Sequence, residues 1–204
     1  MNKITLLIAV TVCSLASNAQ TAKAIFDAEN IVYYGIDFSK AKFALPDAKP
    51  AEIKEKYFAG WNEMVLTDNE RFNKESAFQK LKIYYDLTVV ERRNGAVKVS
   101  EIDGNPDNLI SKETIEQVIS DYKGGTKTQG VGFVFVVEGF SKKKAEGTAH
   151  AVFFDIASRK VLLDKRMVGE ARGGGLLSYW TRPFEIMFEK MTAGLYDTWR
   201  KEAK

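Results

Sequence analysis

Apolar and polar positions alternate, cluster and recur along this chain in a way that predicts its elements in order. Ile31–Phe38 (IVYYGIDF) is β-branched and aromatic, which predicts a first strand. Pro46, Asp47 and Pro50 mark a turn and a helix start. Ile53, Tyr57, Phe58, Trp61, Met64 and Val65 then recur at three and four, one face of a helix. Residues 68–80 predict a second short helix anchored by Phe78. Residues 83–90 (IYYDLTVV) predict a second strand, and Asn94-Gly95 predicts a turn returning a short hairpin strand over 96–100. Gly104-Asn105-Pro106 breaks the chain. Ser111 is placed as an N-cap, with Ile110 and Ile115 as a staple around it. Ile115, Val118, Ile119 and Tyr122 form that helix's stripe, which Gly124-Gly125 ends.

Residues 131–140 (VGFVFVVEGF) are apolar at both alternating sets of positions, the pattern of a central strand covered on both faces. Two more strands follow at 147–156 and 160–169, with the hairpin tip Ala157-Ser158-Arg159 between them. Gly173-Gly174-Gly175 releases the chain into a last helix whose stripe is Phe184, Met187, Phe188, Met191, Leu195 and Trp199. The expected fold class is α/β (α+β). It is a single domain with a mixed sheet, helices packed on it, in the order β-α-β-α-β-β-β-α.

The N-terminus changes the picture. Lys3 gives a positive start, Ile4 to Val12 is a short apolar run, and Ser17-Asn18-Ala19 offers small residues where a signal peptidase reads. The run is too short to span a bilayer. Residues 1–19 are therefore expected to be a secretory signal peptide, and 20–204 one globular domain working in the periplasm or outside the cell. Cys13, the one cysteine in 204 residues, lies in that leader. Its alternative role as a lipid acceptor is disfavoured by Val12, where a small residue is wanted. The expected mature domain then has no disulfide and is held by packing. The formal charge of +3 over the full chain is too small to imply nucleic acid or a polyanionic substrate.

Candidate chemistry is sparse. His150 is the only histidine, no G-x-S-x-G elbow accompanies it, and it reads as a half-buried strand residue. One histidine and one cysteine cannot assemble a common zinc site, and Asp103, Asn105, Asp107 and Asn108 lack EF-hand spacing. Gly125 and Gly130 stand as in a P-loop, but Val131-Gly132 replaces the required Lys and Ser/Thr. Asp37, Asp86, Glu138 and Asp155 are strand carboxylates, two of which would be needed for an acid/base pair. Lys142-Lys143-Lys144 reads as a solvated hairpin tip. Tyr33, Tyr34, Tyr57, Tyr84, Tyr85, Trp180 and Trp199 are amphipathic aromatics that pack in a core or stack on sugars and partners. The one candidate ligand site is Arg172, Gly173, Gly174 and Gly175. Backbone N–H groups before a helix can hold an anion there, although the glycines also serve as a flexible exit.

Several features together resemble the small α/β domains of bacterial envelope accessory proteins, of the curli-secretion and outer-membrane assembly lipoprotein type. They are the apolar strand Val131–Val137, the strand ending Val152-Phe153-Phe154-Asp155, the turn Ser158-Arg159-Lys160, the glycine-rich exit before a C-terminal helix, and Gly35–Ser39 (GIDFS) as opening strand. Arg159 stands where that family usually has glycine, and its lipid-accepting cysteine has no counterpart here. The leader ending Asn18-Ala19-Gln20 is similar to those of exported Bacteroidetes proteins. The resemblance implies an envelope-side accessory protein that binds other macromolecules. With no catalytic constellation, the small net charge and the cleavable leader, the expectation is an exported, non-catalytic interaction or assembly module with an envelope protein partner, no cofactor, no nucleic acid and no required membrane association. Alternatives are an extracytoplasmic sugar- or anion-binding module and, behind it, a carboxylate-dependent hydrolase.

Overall fold

A computed structural model describes residues 22–80, 82–107 and 109–203; the proposed leader, residues 1–19, lies outside them. Residues 22–27 are helical. The strands are β1 (Ile31–Asp37), β2 (Lys42–Ala44), β3 (Ile83–Tyr85), β4 (Val131–Ser141), β5 (Glu146–Asp155) and β6 (Val161–Glu170). The helices are α1 (Phe58–Thr67), entered through Pro50–Glu52 and a π-helical stretch Ile53–Tyr57, then α2 (Lys74–Phe78), α3 (Thr88–Ala96), α4 (Lys112–Ser120), α5 (Leu176–Lys190) and α6 (Tyr196–Glu202). The last two are joined by a second π-helical stretch, Met191–Leu195, kinked where Gly194 takes φ 119°.

Among the described residues six strands make one mixed sheet in the order β3-β1-β4-β5-β6, with β2 pairing the end of β4. β1 is parallel to both neighbours, and β4, β5 and β6 form an antiparallel meander. As its two-sided apolar pattern requires, β4 is buried at every position. Phe133, Phe135 and Val137 join one core with Trp61, Phe78, Phe184, Phe188 and Trp199. Val134 and Val136 join a second core with Val89, Val90, Ile115, Val118 and Ile119. So α1, α2, α5 and α6 cover one face of the sheet, and α3 and α4 cover the other.

Several expectations give way at this level. The segment 83–90 is strand only to Tyr85 and then becomes α3. Asp86 causes the change: its Oδ1 accepts the Thr88 hydroxyl (2.5 Å) and amide (3.3 Å), bending the chain into the first turn. Val89 and Val90 are then neighbours on a helix packed in the second core. Asn94-Gly95, expected as a hairpin turn, lies inside α3, and residues 96–100 form no strand. Asn94 is held there by tertiary hydrogen bonds that outweigh its turn preference. β2 and the helix over 22–27 carry too short a pattern to be foreseen. Elsewhere the local signals hold. Ser111 caps α4 by accepting the Thr114 amide, Phe78 is fully buried, and Lys142–Lys144 form the β4–β5 turn.

Candidate functional site

β1 carries a bulge. Its pairing with β4 shifts between Tyr33 and Ile36, and Gly35 sits there at φ 99°. The shift keeps Tyr33 and Ile36 both in the larger core. It also turns Asp37 toward the other face. On β1's far side β3 ends after three residues, opposite Tyr33, so β1 beyond the bulge has no strand neighbour there among the described residues.

Two asparagines fill the gap. Asn62 of α1 accepts the Ile36 amide (2.8 Å) and donates to the Ile36 carbonyl (3.0 Å). Asn94 of α3 donates to the same carbonyl (2.9 Å) and accepts the Phe38 amide (2.7 Å). Both are buried and replace the missing strand hydrogen bond for hydrogen bond. Asn62 had a sequence signal: it falls four after Phe58 and three before Val65, a polar residue within an apolar stripe. Asn94 had none, because Asn-Gly reads as a turn.

Between these two helices lies a groove of about 530 Å³ lined by Phe58, Ala59, Asn62, Glu63, Leu66 and Leu87, with Lys54, Glu55, Glu91, Asn94 and Gly95 around them. It opens past the C-terminal end of β3, where one crossover helix lies on one sheet face and the next on the other. That is the switch-point position at which open α/β sheets bind ligands, and the volume is that of a ligand pocket. The polar atoms of its floor are already committed to β1, so the floor offers apolar contact. Its rim is acidic: Glu55, Glu63 and Glu91 have no ion-pair partner among the described residues, and Lys54 is the one cation.

The strand carboxylates are each engaged separately. Asp37, fully buried, accepts from Arg93 Nε (2.7 Å), the Tyr122 hydroxyl (2.8 Å) and the Ser39 amide (2.8 Å). Burial, and then the charge of Asp37, push the Tyr122 phenol well above its ordinary range. Asp86 Oδ2 accepts the Thr126 amide (2.5 Å) and hydroxyl (2.9 Å). Burial raises its pKa, but these bonds and those from Thr88 win and hold it below the usual value. Asp155 caps the Ser158 turn at 2.8 Å to the amide and 2.6 Å to the hydroxyl. No two of these carboxylates share a partner.

Glu138 and His150 join a further buried polar cluster. His150 Nδ1 lies 2.7 Å from Asp164 Oδ1 and Nε2 lies 3.1 Å from Glu138 Oε1. Glu138 also accepts Arg166 Nε (2.7 Å) and the Ile110 amide (3.0 Å). Burial opposes the charged ring, but hydrogen bonds to both carboxylates outweigh it and push His150 up to about 9. A cation at neutral pH with both nitrogens bound is a clamp on β4, β5 and β6 and has no lone pair to act as a base.

Arg172, Gly173, Gly174 and Gly175 form the exposed link from β6 to α5, and Gly173 and Gly175 have positive φ of 115° and 74°. With Lys142, Tyr179 and Trp180, Gly173 and Gly175 line a notch of about 170 Å³. Among the described residues no side chain caps the N-terminus of α5. Of the other sequence candidates, Asp103, Asn105 and Asp107 are exposed loop residues, and Asn108 lies outside the described residues. Gly125 packs beside Asp86 and Tyr34. Among the described residues no group of His, Cys, Asp and Glu is placed to hold a metal ion, and no helix is long and apolar enough to cross a membrane. Comparison with protein-family models, curated proteins and solved structures finds no match.

Proposed function

We propose that this chain is an exported interaction module of the cell envelope, acting without catalysis, and that it takes its partner in the groove between α1 and α3. The supporting observation is the groove itself: an apolar floor at a sheet switch point, rimmed by three unpaired glutamates. Large exposed apolar side chains elsewhere in the described residues are single and scattered: Tyr85, Val99 and Leu109. The groove's chemistry suits a protein segment that inserts an apolar side chain and flanks it with lysine or arginine. Charge on the rim sets encounter rate and selectivity, and the apolar floor supplies affinity.

A photo-cross-linking residue placed at Ala59 or Gly95, in cells exporting the protein, tests this. The groove positions should give one discrete adduct that a control at Lys143 does not, and Glu63→Lys with Glu91→Lys should abolish it. Equal labelling from all three positions, or an adduct indifferent to the charge reversal, would remove the groove as the site.

A second reading, anion or sugar binding at Arg172–Gly175, is favoured by the uncapped start of α5 beside Lys142. Phosphate or a sugar should then protect the 173–178 amides from hydrogen exchange. Unchanged exchange would dismiss it.

A further inference from the structure

The two edges of the sheet are finished differently. On the β3 side, Asn62 and Asn94 occupy the exposed backbone of β1. On the other side β6 runs for ten residues, Val161–Glu170, with no strand beyond it among the described residues. Along that edge, among the described residues, one carbonyl is met: Lys190 Nζ donates to Val168 O at 2.7 Å. This contact also shows that the Val168 backbone groups point off the sheet. By the two-residue period of a strand, those of Arg166 and Asp164 do the same. An edge left open in this way is a template for another strand.

We propose that β6 pairs antiparallel with β6 of a second copy of this chain, about a two-fold axis through Lys165, continuing the sheet across the dimer. Charge selects this register. With Lys165 opposite its own mate, Asp164 of each copy stands opposite Arg166 of the other, so two opposite-charge cross-strand pairs form at once. Registers centred on Asp164 or Arg166 also put one like-charge pair face to face, and they form no opposite-charge pair to offset it. Arg166 has capacity for the new contact, since Nε alone binds Glu138 and its side chain is 41% exposed. Lys165 meets its mate on the axis, and each lysine arrives already paired with Glu202 of its own chain, at 2.7 Å.

The ends of the ladder agree with the same register. Leu162 is the extra residue of a bulge, because Phe153 pairs Leu163 while Phe154 pairs Val161. With Lys165 on the axis, Leu162 of one copy falls opposite Val168 of the other. The irregular position thus meets the position already capped by Lys190, and the ladder stops there without stranding a regular hydrogen-bonding pair. Between those limits, Leu163 stands opposite Met167.

Asp164 and Arg166 also serve the His150 cluster, so charge reversal there risks the fold. Two other variants carry the test. The outward Val168 N–H is not needed within the chain, and the ring that Val168→Pro puts in its place would stand against Leu162 of the mate, so this variant should leave the thermal melt close to that of the parent while converting a dimer to a monomer in sedimentation. In the proposed register the two Lys165 backbones form a non-hydrogen-bonded pair, at a separation compatible with a disulfide. On a Cys13→Ala background, Lys165→Cys should therefore oxidise to a covalent dimer, and Val161→Cys, far from its mate, should not. A parent protein that sediments as a monomer at about 100 μM overturns the proposal. So does a dimer that survives Val168→Pro, or one that cross-links through 161 and not through 165.

Discussion

His150 shows how far a residue's role depends on neighbours that are distant in sequence. Alone it is a strand histidine; with Asp164 and Glu138 on its two nitrogens it is a buried cation. Its pKa is raised from an ordinary 6.5 to about 9 in the folded chain. The stabilisation is therefore fully present below 6.5 and is lost as pH rises through about 9. The stability gap between the parent and His150→Gln should shrink by roughly 3 kcal/mol from pH 6 to pH 10. A gap that stays constant in urea melts across that range would mean the ring is neutral throughout. Lys74 is the opposite case. It is fully buried, and burial lowers it to about 8, outweighing the nearby charges of Glu75 and Asp68. Its charged form costs stability below pH 8, and the cost is relieved as pH rises from there toward 10.5. Lys74→Met should therefore raise the melting midpoint at pH 7, by about 1–3 kcal/mol in stability, since it leaves the Phe72 carbonyl without its donor but removes a buried charge. A lower midpoint would show that the Phe72 bond outweighs the charge. Neither role was legible beforehand, because both are set by contacts between separate elements.

At the scale of elements, period and punctuation were legible wherever one local signal acted alone. The two-sided run of β4, the Ser111 cap and the stripe of the last helix all act as their sequences suggest. The misread stretch 86–96 is where tertiary bonds compete with local preference. Asp86 captures Thr88 and Thr126, and Asn94 is spent on β1, so a strand-and-turn sequence becomes a helix. The β1 bulge is the feature on which both asparagines depend. A Cβ on Gly35 would stand 2.5 Å from Asn62 Oδ1, at a positive φ that side chains rarely adopt. Gly35→Ala should thus cost about 2–4 kcal/mol, combining backbone strain with displacement of a buried hydrogen bond. Phe135→Ala should cost about 3–5 kcal/mol, because its ring is fully buried between Phe133, Phe184 and Phe188. A loss under about 1.5 kcal/mol in a urea melt would place β4 outside the centre of the sheet.

For the whole molecule, one mixed sheet with a core on each face explains why the C-terminal helices are integral. Phe184, Phe188, Tyr196 and Trp199 complete the larger core, so removing residues 183–204 should abolish a cooperative melt. The fold class was legible as the sum of its element patterns. The groove was not, since its walls come from two helices, one of which carries a strand-and-turn pattern in its sequence. The groove is the centre of the functional account, and a titration followed by backbone amide shifts tests it most directly. Two peptides would be used, sharing a leucine-phenylalanine core, one flanked by lysine and arginine and the other by glutamate. The basic peptide should shift Ala59, Glu63, Leu66, Leu87 and Gly95 together, and Glu63→Lys with Glu91→Lys should weaken it about tenfold or more. Equal binding of the acidic peptide, or shifts confined to residues outside the groove, would contradict the account.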